Sequence, residues 1–334
     1  MKEKILPYIT NWFLKFLQLQ LVISLTLLVI LPSWGISMSI LSPIGNIICT
    51  PFFIVFLLLS SIIFFLELLH IPNGIFIYLL ENIAKLWLWL VPDFHNTFLT
   101  SFTKPPILFL LILPIATITI LTNKRIKTIT QRITTLSILF GLSCLYLKVI
   151  NKPSQCIKNI SCNNGHVTYL YHNGTTALID PGFIGRRISA PSWIYYTLIP
   201  EIIKSSGSTQ IDHLIIMQPG KVTFDAIQLL IKSLEIKQLY LVNFYGPLKR
   251  NTAISLYKLK ELAKKRNTRI VRIGQYKKTI SLNTTPNIKI CIAPEEKNLT
   301  YNKTKYPALS LTYNIDNQET KIYSAKIRKY ITNT

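Results

Sequence analysis

Four long apolar runs fill most of the first 150 residues of this 334-residue chain, at positions 13–31, 44–69, 106–121 and 133–150. A helix needs about 20 apolar residues to cross the hydrocarbon core of a bilayer, so the third run is of marginal length. The runs predict an α-helical, multi-pass membrane domain with four spans over residues 1–150. We expect the remaining residues, 151–334, to form a separate domain.

Residues 151–334 are more polar and strongly basic. They hold 27 of the 37 Lys and Arg residues and 10 of the 14 acidic residues, a formal charge of +17 against +6 for residues 1–150. Such a charge suits a polyanion or an anionic membrane surface as a partner. A compositional bias towards Lys, Ile, Asn and Thr is the alternative explanation. We predict a second, soluble domain over residues 151–334.

Residues 75–91 differ from the four runs because Glu81, Asn82 and Lys85 interrupt an otherwise apolar segment that contains Trp. Glu81 and Lys85 are four residues apart and can pair on one face of a helix. The pattern favours an amphipathic helix that lies in the membrane interface, with its Trp side chains at the level of the headgroups. A fifth span is the alternative.

The orientation in the membrane follows from residues 122–132, which carry four basic residues and no acidic residue. Positively charged loops stay in the cytoplasm. The last span then leads outwards, so we expect residues 151–334 to be extracytoplasmic. This expectation holds whether residues 75–91 cross the membrane or lie flat.

Polar and helix-breaking residues also occur within the apolar part. Pro32, Pro43 and Pro51 are expected to break helices at or near membrane depth, where irregular backbone is tolerated only beside protein or a watery cavity. Asn46 is expected to face other helices, either through an interhelical hydrogen bond or in a pore-lining role.

The soluble part contains alternating apolar residues separated by turn residues, which predict strands. The predicted strands cover residues 166–171, 175–180, 213–217, 238–242, 269–273, 287–293, 308–313 and 320–324. Helical periodicity predicts helices over residues 193–204, 224–234 and 248–266. Asn173 and Gly174 favour a tight hairpin turn, because both readily take positive φ angles. This order of elements indicates sheets covered by helices.

Two cysteines, Cys156 and Cys162, lie close together at the start of the soluble part. If that part is extracytoplasmic, the two could form a disulfide, and two free thiols are the alternative. No spacing of Cys and His in the chain has the pattern of a zinc site.

Residues 31–52, LPSWGISMSILSPIGNIICTPF, resemble the membrane signature of the ComEC family of competence DNA-internalization channels. In that signature a Pro and an aromatic–Gly pair lead to Leu-Ser-Pro, then Asn, then Pro. The matching positions are Pro32, Leu41, Ser42, Pro43, Asn46 and Pro51. The order of membrane segments, amphipathic helix and β-lactamase-like domain is also similar, over essentially the whole chain.

The resemblance implies a role in bacterial transformation, as a multi-pass protein of the cell (inner) membrane. Its implied partners are membrane lipid and single-stranded DNA. Compared with that family, the chain lacks an N-terminal domain and several spans. The resemblance therefore implies a second chain that supplies the missing part of the channel, and an incomplete channel is the alternative.

The soluble domain of the resembled family is metallo-β-lactamase-like, an αββα sandwich whose metal loop reads Thr-His-Pro-Asp-x-Asp-His. Here residues 217–223 read Met-Gln-Pro-Gly-Lys-Val-Thr, so only Pro219 is kept. The stretches 163–166 and 322–325, which correspond to other family motifs, also lack the family's acidic residues. Without ligands no metal can activate water. Because these ligands are missing, the comparison with the resembled family implies a pseudoenzyme that holds neither a metal nor another cofactor.

Other acidic and imidazole side chains give little support for a rebuilt metal site. His166 and His172 would share one face of a strand but lie about 20 Å apart, too far for one ion to bridge. His213 is on an apolar strand and is expected to be a hydrogen-bonded core or edge residue. Asp180 matches a family position that supports a turn, and we expect it to be structural.

Groups of basic residues punctuate the soluble part. The candidate nucleic-acid contacts are Arg186, Arg187, Lys249, Arg250, Lys264, Lys265 and Arg266. If several of them share one face, they could follow a DNA backbone, whose phosphates provide most of the sequence-independent affinity. A solvated, Lys-rich surface is the alternative.

Three functions fit these patterns. The leading hypothesis is a shortened, non-catalytic channel component of the DNA-uptake machinery, whose outer domain guides DNA. The second is an extracytoplasmic metal-dependent hydrolase or nuclease with a rebuilt site. The third is a decayed structural remnant of such a channel.

Overall fold

The computed structural model describes residues 2–90, 99–162, 165–184, 190–242, 248–273, 278–281, 289–301, 304–315 and 318–323. The chain divides into two compact units, Met1–Asn151 and Lys152–Thr334. The predicted boundary between residues 150 and 151 falls one residue from this division.

The first unit is helical. Its elements in chain order are α1 (Lys2–Trp34), β1 (Met38–Ser39), α2 (Ser42–Leu68), α3 (Gly74–Leu90), β2 (Leu99–Thr100), α4 (Ile107–Thr122) and α5 (Ile129–Leu145), the last extended by a π-helical turn over Tyr146–Ile150. The two short strands pair antiparallel, with Met38 opposite Thr100. A helix is thus present where residues 75–91 predict one, although Val91 lies outside the described residues.

Among the residues that the structure describes, three helical segments of this unit are long and apolar enough to cross a membrane, namely Thr10–Trp34, Ser42–Leu68 and Ile129–Ile150. The apolar helix α4 has 16 residues, about 24 Å at 1.5 Å per residue, which agrees with the marginal length expected for the third run. The prediction of membrane-spanning helices in the first part of the chain is confirmed at this level.

Helices α1, α4 and α5 share a core with Met38 of β1 and with Phe102, which follows β2. Its buried side chains are Leu21, Leu25, Leu28, Met38, Phe102, Leu113, Leu136, Phe140, Cys144 and Leu147. In α2, by contrast, Pro43 is the one buried residue, and large side chains such as Phe64 and Leu58 are exposed. An exposed apolar surface of this kind is suited to lipid or to other membrane helices.

The second unit contains two sheets. Its elements are β3 (Gln155–Cys162), β4 (Gly165–His172), β5 (Thr175–Asp180), α6 (Ala190–Trp193), α7 (Ile199–Ser206), β6 (Gln210–Ile216), α8 (Lys221–Ser233), β7 (Glu235–Val242), α9 (Arg250–Lys265), β8 (Arg269–Ile273), β9 (Lys278–Ser281), β10 (Lys289–Tyr301), β11 (Thr304–Ile315) and β12 (Gln318–Tyr323). A π-helical turn, Ile194–Leu198, joins α6 to α7.

The larger sheet has six strands in the order β3-β4-β5-β6-β7-β8. Strands β3 to β5 are antiparallel and β5 to β8 are parallel. Crossovers between parallel neighbours are right-handed in nearly all proteins, so strands that follow one another in one direction along a sheet keep their connecting helices on one face. The core agrees, because Leu178, Leu214 and Leu239 of the sheet belong to one cluster with side chains of α7, α8 and α9.

The opposite face of this sheet is buried as well. Ala177, Ile179 and Ile215 alternate along their strands with the residues that meet the helices, and each is fully buried. The smaller sheet is antiparallel, in the order β12-β11-β10-β9. The predicted α/β architecture of this part of the chain is therefore present.

Local chemistry explains the hairpin between β4 and β5. Asn173 and Gly174 have φ angles of 44° and 91°, the left-handed conformation that a two-residue turn requires. Cys156 and Cys162 lie six residues apart on the same strand, about 20 Å along it. Disulfide-bonded Cα atoms are closer than about 7 Å, so the pairing alternative for these two cysteines is wrong.

Candidate functional site

The membrane signature forms the corner between α1 and α2. Pro32 lies in the last turn of α1, and Gly35 (φ 74°) ends the helix by donating its N–H to the Pro32 carbonyl at 3.0 Å. The corner then pairs with β2 through β1, and the hydroxyls of Ser37 and Ser101 lie 3.0 Å apart. Gly35 thus caps the end of α1, and the β1–β2 pair fixes the position of the corner that follows.

The second half of the signature begins α2. Leu41 is the N-cap residue, and Ser42 and Pro43 form the first turn, where a Pro has no hydrogen bond to lose. Pro51 lies inside α2, which continues to Leu68, so the expectation that Pro51 breaks a helix is wrong. In an apolar environment the backbone groups around a Pro remain best satisfied by continuing the helix. Asn46 is partly exposed on this helix.

In the second unit, β5 and β6 are parallel and end side by side at Asp180 and Ile216. Binding sites of open α/β sheets occur at such carboxyl ends, where the loops leave the strands. The segment from Met217 to Gly220 leaves β6 here and leads directly into α8. The residues that correspond to the metal loop of the resembled family therefore lie at this edge and in the first turn of α8.

The fully buried Asp180 carboxylate organises the turn after β5. Its Oδ1 accepts the backbone N–H groups of Gly182, Phe183 and Ile184 at 2.9, 2.8 and 3.1 Å. Its carbonyl accepts the N–H of Met217 at 3.0 Å, which ties this turn to the loop after β6. This geometry agrees with the structural role expected for Asp180, because an acceptor of three N–H groups fixes the local backbone.

Gln218 fills the space beside this turn. It is buried and lies against Gly182, which has a φ of 115°. A Cβ atom at position 182 would overlap the Gln218 side chain. Gln218 stands where the resembled family has the His of its metal loop, and here an amide packs against backbone instead. Within the described ranges, no three His, Cys, Asp or Glu side chains converge in a way that could hold a metal ion.

His213 lies on β6 with its ring against Tyr240, at a centroid distance of 5.8 Å. The Tyr240 hydroxyl is 3.4 Å from its Nδ1 and donates to Gln238 Oε1 at 2.5 Å. Burial lowers the pKa of His213, although the Asp212 carboxylate partly opposes this effect. The ring is therefore largely neutral at pH 7, as a half-buried sheet residue, which agrees with the core or edge role expected for it.

Asp212 is the main acidic group in the first half of β6. Its Oδ2 accepts the N–H and the hydroxyl of Thr176 at 2.8 and 3.0 Å, and its Oδ1 lies 2.8 Å from Lys237 Nζ. Burial alone would raise the pKa of Asp212, but the hydrogen bonds from Lys237 and Thr176 outweigh it and hold the pKa below its usual value. These contacts connect β5, β6 and β7.

The candidate nucleic-acid contacts lie partly within the described residues. Lys249 precedes α9, Arg250 is its first residue, Lys264 and Lys265 end it, and Arg266 is its C-cap. The two groups are therefore at opposite ends of one helix, about 22 Å apart at 1.5 Å per residue. Arg186 and Arg187 lie outside the described residues.

The exposed face of α9 carries further cations between these ends. Lys258 and Lys260 are exposed, and the sequence interpretation missed them because neither belongs to a run of charges. The helical period of the sequence could have identified these two lysines as exposed, because it places Leu256, Leu259 and Ala263 on the other, buried face. We call the set Arg250, Lys258, Lys260, Lys264 and Lys265 the α9 basic row.

An aromatic side chain lies within the α9 basic row. Tyr257 is 62% exposed, and its hydroxyl donates to Glu261 Oε1 at 2.7 Å. This hydrogen bond to a carboxylate raises the pKa of Tyr257. The exposed side of α9 thus combines the five cations of the row with one acidic group and one exposed ring, a composition that suits a phosphate backbone with unstacked bases.

No protein-family model and no curated protein matches this chain. Among solved structures, the crystal structure of CmlA, a diiron beta-hydroxylase from Streptomyces venezuelae, is similar at 16% sequence identity and a TM-score of 0.29. The similarity covers 57% of this chain and 34% of that chain, so this chain spans about a third of the length of that structure.

Proposed function

We propose that this chain is a non-catalytic component of a membrane channel for DNA uptake, of the kind that residues 31–52 resemble, and that its α/β unit holds single-stranded DNA along α9. The α9 basic row carries the proposal. It offers five exposed cations and the exposed Tyr257 on the solvent side of one helix, within an arc of about 160° at 100° per residue. Lys and Arg contacts to phosphates supply sequence-independent affinity, and aromatic rings stack on bases of any sequence.

The proposal places the α/β unit outside the cytoplasm of a bacterial cell. The connection between α4 and α5 exposes Lys124, Arg125 and Lys127, and such a positive loop stays inside. Thr103, shortly before α4, accepts the Asn151 amide at 2.7 Å, so α4 begins on the side where α5 ends. The end of α5 is then outside, and the chain continues there.

The proposal also gives the α/β unit a metallo-β-lactamase-like αββα sandwich without catalysis. Its support is the large sheet, which has helices on one face and buried residues such as Ile179 and Ile215 on the other. At the edge where such a domain would hold a metal, Asp180 Oδ1 already accepts three N–H groups and Gln218 fills the adjoining space. In this proposal a second chain with further spans completes the path.

The test is binding of a fluorescent 30-nucleotide oligo(dT) to the full chain in nanodiscs, across a KCl series. Lys258→Glu/Lys260→Glu should weaken binding about tenfold or more and reduce the slope of log K against log [salt] by about 1.4, because each lost phosphate contact removes about 0.7. The matched control is Lys221→Glu/Lys232→Glu, at two exposed lysines of α8, which changes the net charge equally.

Equal weakening by the two double variants would show non-specific attraction and contradict the proposal, as would binding that neither variant changes. In cells, deletion of the gene should reduce uptake of labelled DNA. The wild-type chain should restore uptake, and the α9 double variant should not.

A further inference from the structure

The chain path through the first unit constrains α3. Strand β1 pairs with β2, with Ser39 opposite Leu99, so the chain returns at β2 to the place that it leaves after β1. Helix α2 leads away from that place for 27 residues, about 40 Å at 1.5 Å per residue. The segment that contains α3 has to bring the chain back over the same distance.

Helix α3 makes this return alongside α2. It begins six residues after α2 ends, and near its other end Trp87 contacts Phe53, with ring centroids 6.4 Å apart. The two helices are therefore antiparallel. The less exposed side chains of α3 fall on one helical face and include Phe76, Leu80 and Ile83.

The polar side chains of α3 lie on the opposite face. At 100° per residue, Tyr78, Glu81, Asn82 and Lys85 fall within an arc of about 100° that points away from the packed face. We call these four residues the α3 polar stripe. Its two charged groups pair with each other, with Lys85 Nζ 3.9 Å from Glu81 Oε2, and their side chains are 73% and 61% exposed.

The α3 polar stripe lies at the depth of the apolar part of α2. Phe53 is eleven residues into α2, so the contact with Trp87 is about 16 Å from the start of α2, and Glu81 is about 25 Å from it on the antiparallel helix. That level falls between Phe53 and Phe64, both exposed apolar residues of α2. A stripe at this depth cannot face bulk water unless the protein provides a path.

Lipid is a poor neighbour for this stripe. A charged residue at the centre of a membrane helix costs about 2.5–3.5 kcal/mol even on the lowest scale, so such residues face a bundle interior or a watery cavity. Asn82 donates to the Tyr78 carbonyl at 2.9 Å, which uses one of its two amide hydrogens. Within the described part of the chain, no side chain of another element contacts the stripe through a hydrogen bond or ion pair.

We propose that α3 crosses the membrane antiparallel to α2 and that its polar stripe is an interface with a second copy of this chain. Two copies inserted in the same direction are related by an axis perpendicular to the membrane, so the two stripes lie at the same depth. Glu81 and Lys85 differ in depth by about 6 Å, at 1.5 Å per residue. The long side chain of each Lys85 spans this difference and pairs with Glu81 of the partner subunit. The stripe is neutral and complementary to itself, which favours a like copy over a polyanion.

The test uses charge reversal in lipid vesicles without DNA, so its result does not depend on the proposed function. Single-molecule photobleaching counts the copies per complex. The Glu81→Lys chain presents two cations and the Lys85→Glu chain two carboxylates, so each alone should dimerise about tenfold more weakly or worse. Mixing the two variants should restore dimers as mixed pairs, which also shows that both variant chains fold.

The matched control is Glu67→Lys, the same charge change at the end of α2 and outside the stripe, which should leave dimerisation unchanged. Wild-type protein that is monomeric in vesicles would overturn the proposal, and so would single variants that dimerise as well as the wild type. In a cysteine-free background, reaction of Asn82→Cys with a membrane-impermeant thiol reagent would also overturn it, because the stripe would then line a water-filled path.

Discussion

Two ion pairs with the same helical spacing lie in the two units of the chain. Lys221 and Asp225 on α8 are 3.8 Å apart, and Glu81 and Lys85 on α3 are 3.9 Å apart. All four side chains are about half exposed or more. In water such a pair contributes little, because solvent screens both charges. On a helix that crosses a membrane, the same geometry requires a covering partner.

Apolar side chains show the same contrast between the units. In the α/β unit Leu178, Leu214 and Leu239 are fully buried, whereas in α2 most large apolar side chains are exposed. The hydrophobic effect explains the first arrangement, since burial removes apolar surface from water. In the helical unit, lipid can take the place of a protein interior. Substitutions in the two units test this contrast.

The strongest test compares one substitution in both units. Leu214→Ala should lower the free energy of unfolding of the α/β unit by about 2–5 kcal/mol, because it removes packed methyl groups and leaves a cavity. Leu58→Ala on α2 should change the stability of the helical unit by less than about 0.5 kcal/mol. Limited proteolysis of the full chain in nanodiscs across a urea series measures both. Equal effects would remove the contrast.

Asp180→Ala should destabilise the α/β unit by about 2–3 kcal/mol, because it leaves three N–H groups without their acceptor in a buried turn. Asp180→Asn keeps an acceptor oxygen in place and should cost clearly less. Membrane insertion of the helical unit should be the same for both variants and the wild type. If Asp180→Asn were as damaging as Asp180→Ala, the negative charge would matter more than the three hydrogen bonds.

The third test is the pH dependence that Asp212 confers. Its pKa is lowered in the folded state, so the unfolded chain binds a proton more readily in acid. The stability due to Asp212 is therefore fully present above the unfolded pKa of about 3.9 and is lost as pH falls through the lower folded value. Between pH 5 and 2, Asp212→Asn should show a shallower loss of stability than the wild type in urea denaturation. Parallel curves would contradict the assignment.

The smallest effect is expected at the exposed pair on α8. Lys221→Ala should change the free energy of unfolding by less than about 0.5 kcal/mol, because water already solvates both of its charges. The urea series that serves for Leu214→Ala measures it. A loss above about 1 kcal/mol would show that exposed pairs matter in this unit too, and the contrast with α3 would be weaker.

The elements predicted well from the sequence are those set by local chemistry. The hairpin at Asn173 and Gly174 needs only residues that accept positive φ. Helix α9 was predicted over residues 248–266 and spans Arg250–Lys265, because its apolar residues repeat with the helical period. By contrast, β3 was not predicted. Its polar residues give a weak alternation, and pairing along β4 from Gln155 to Cys162 makes it a strand.

The candidate nucleic-acid site on α9 was predicted only in part, because the sequence shows local patterns but not how they are arranged in space. The basic groups around Lys249 and Lys264 were visible as runs of charge, but their position at the two ends of one helix, with Lys258 and Lys260 between them, depends on the period of that helix. The sequence of the loop after β6 is enough to show that it has no metal-ligating residues. It does not show that Gln218 packs against Gly182, because these residues are far apart in sequence and meet only in the fold.

Apolar length and periodicity are properties of neighbouring residues, so the order of residues is enough to separate the part of the chain that suits lipid from the part that builds its own core. The path of α3 and the face it presents depend instead on contacts in the fold. The β1–β2 pair and the contact between Phe53 and Trp87 set its direction, and both join residues more than 30 positions apart. An amphipathic pattern reads the same in the plane of the membrane and across it, and only such long-range contacts show that α3 runs antiparallel to α2.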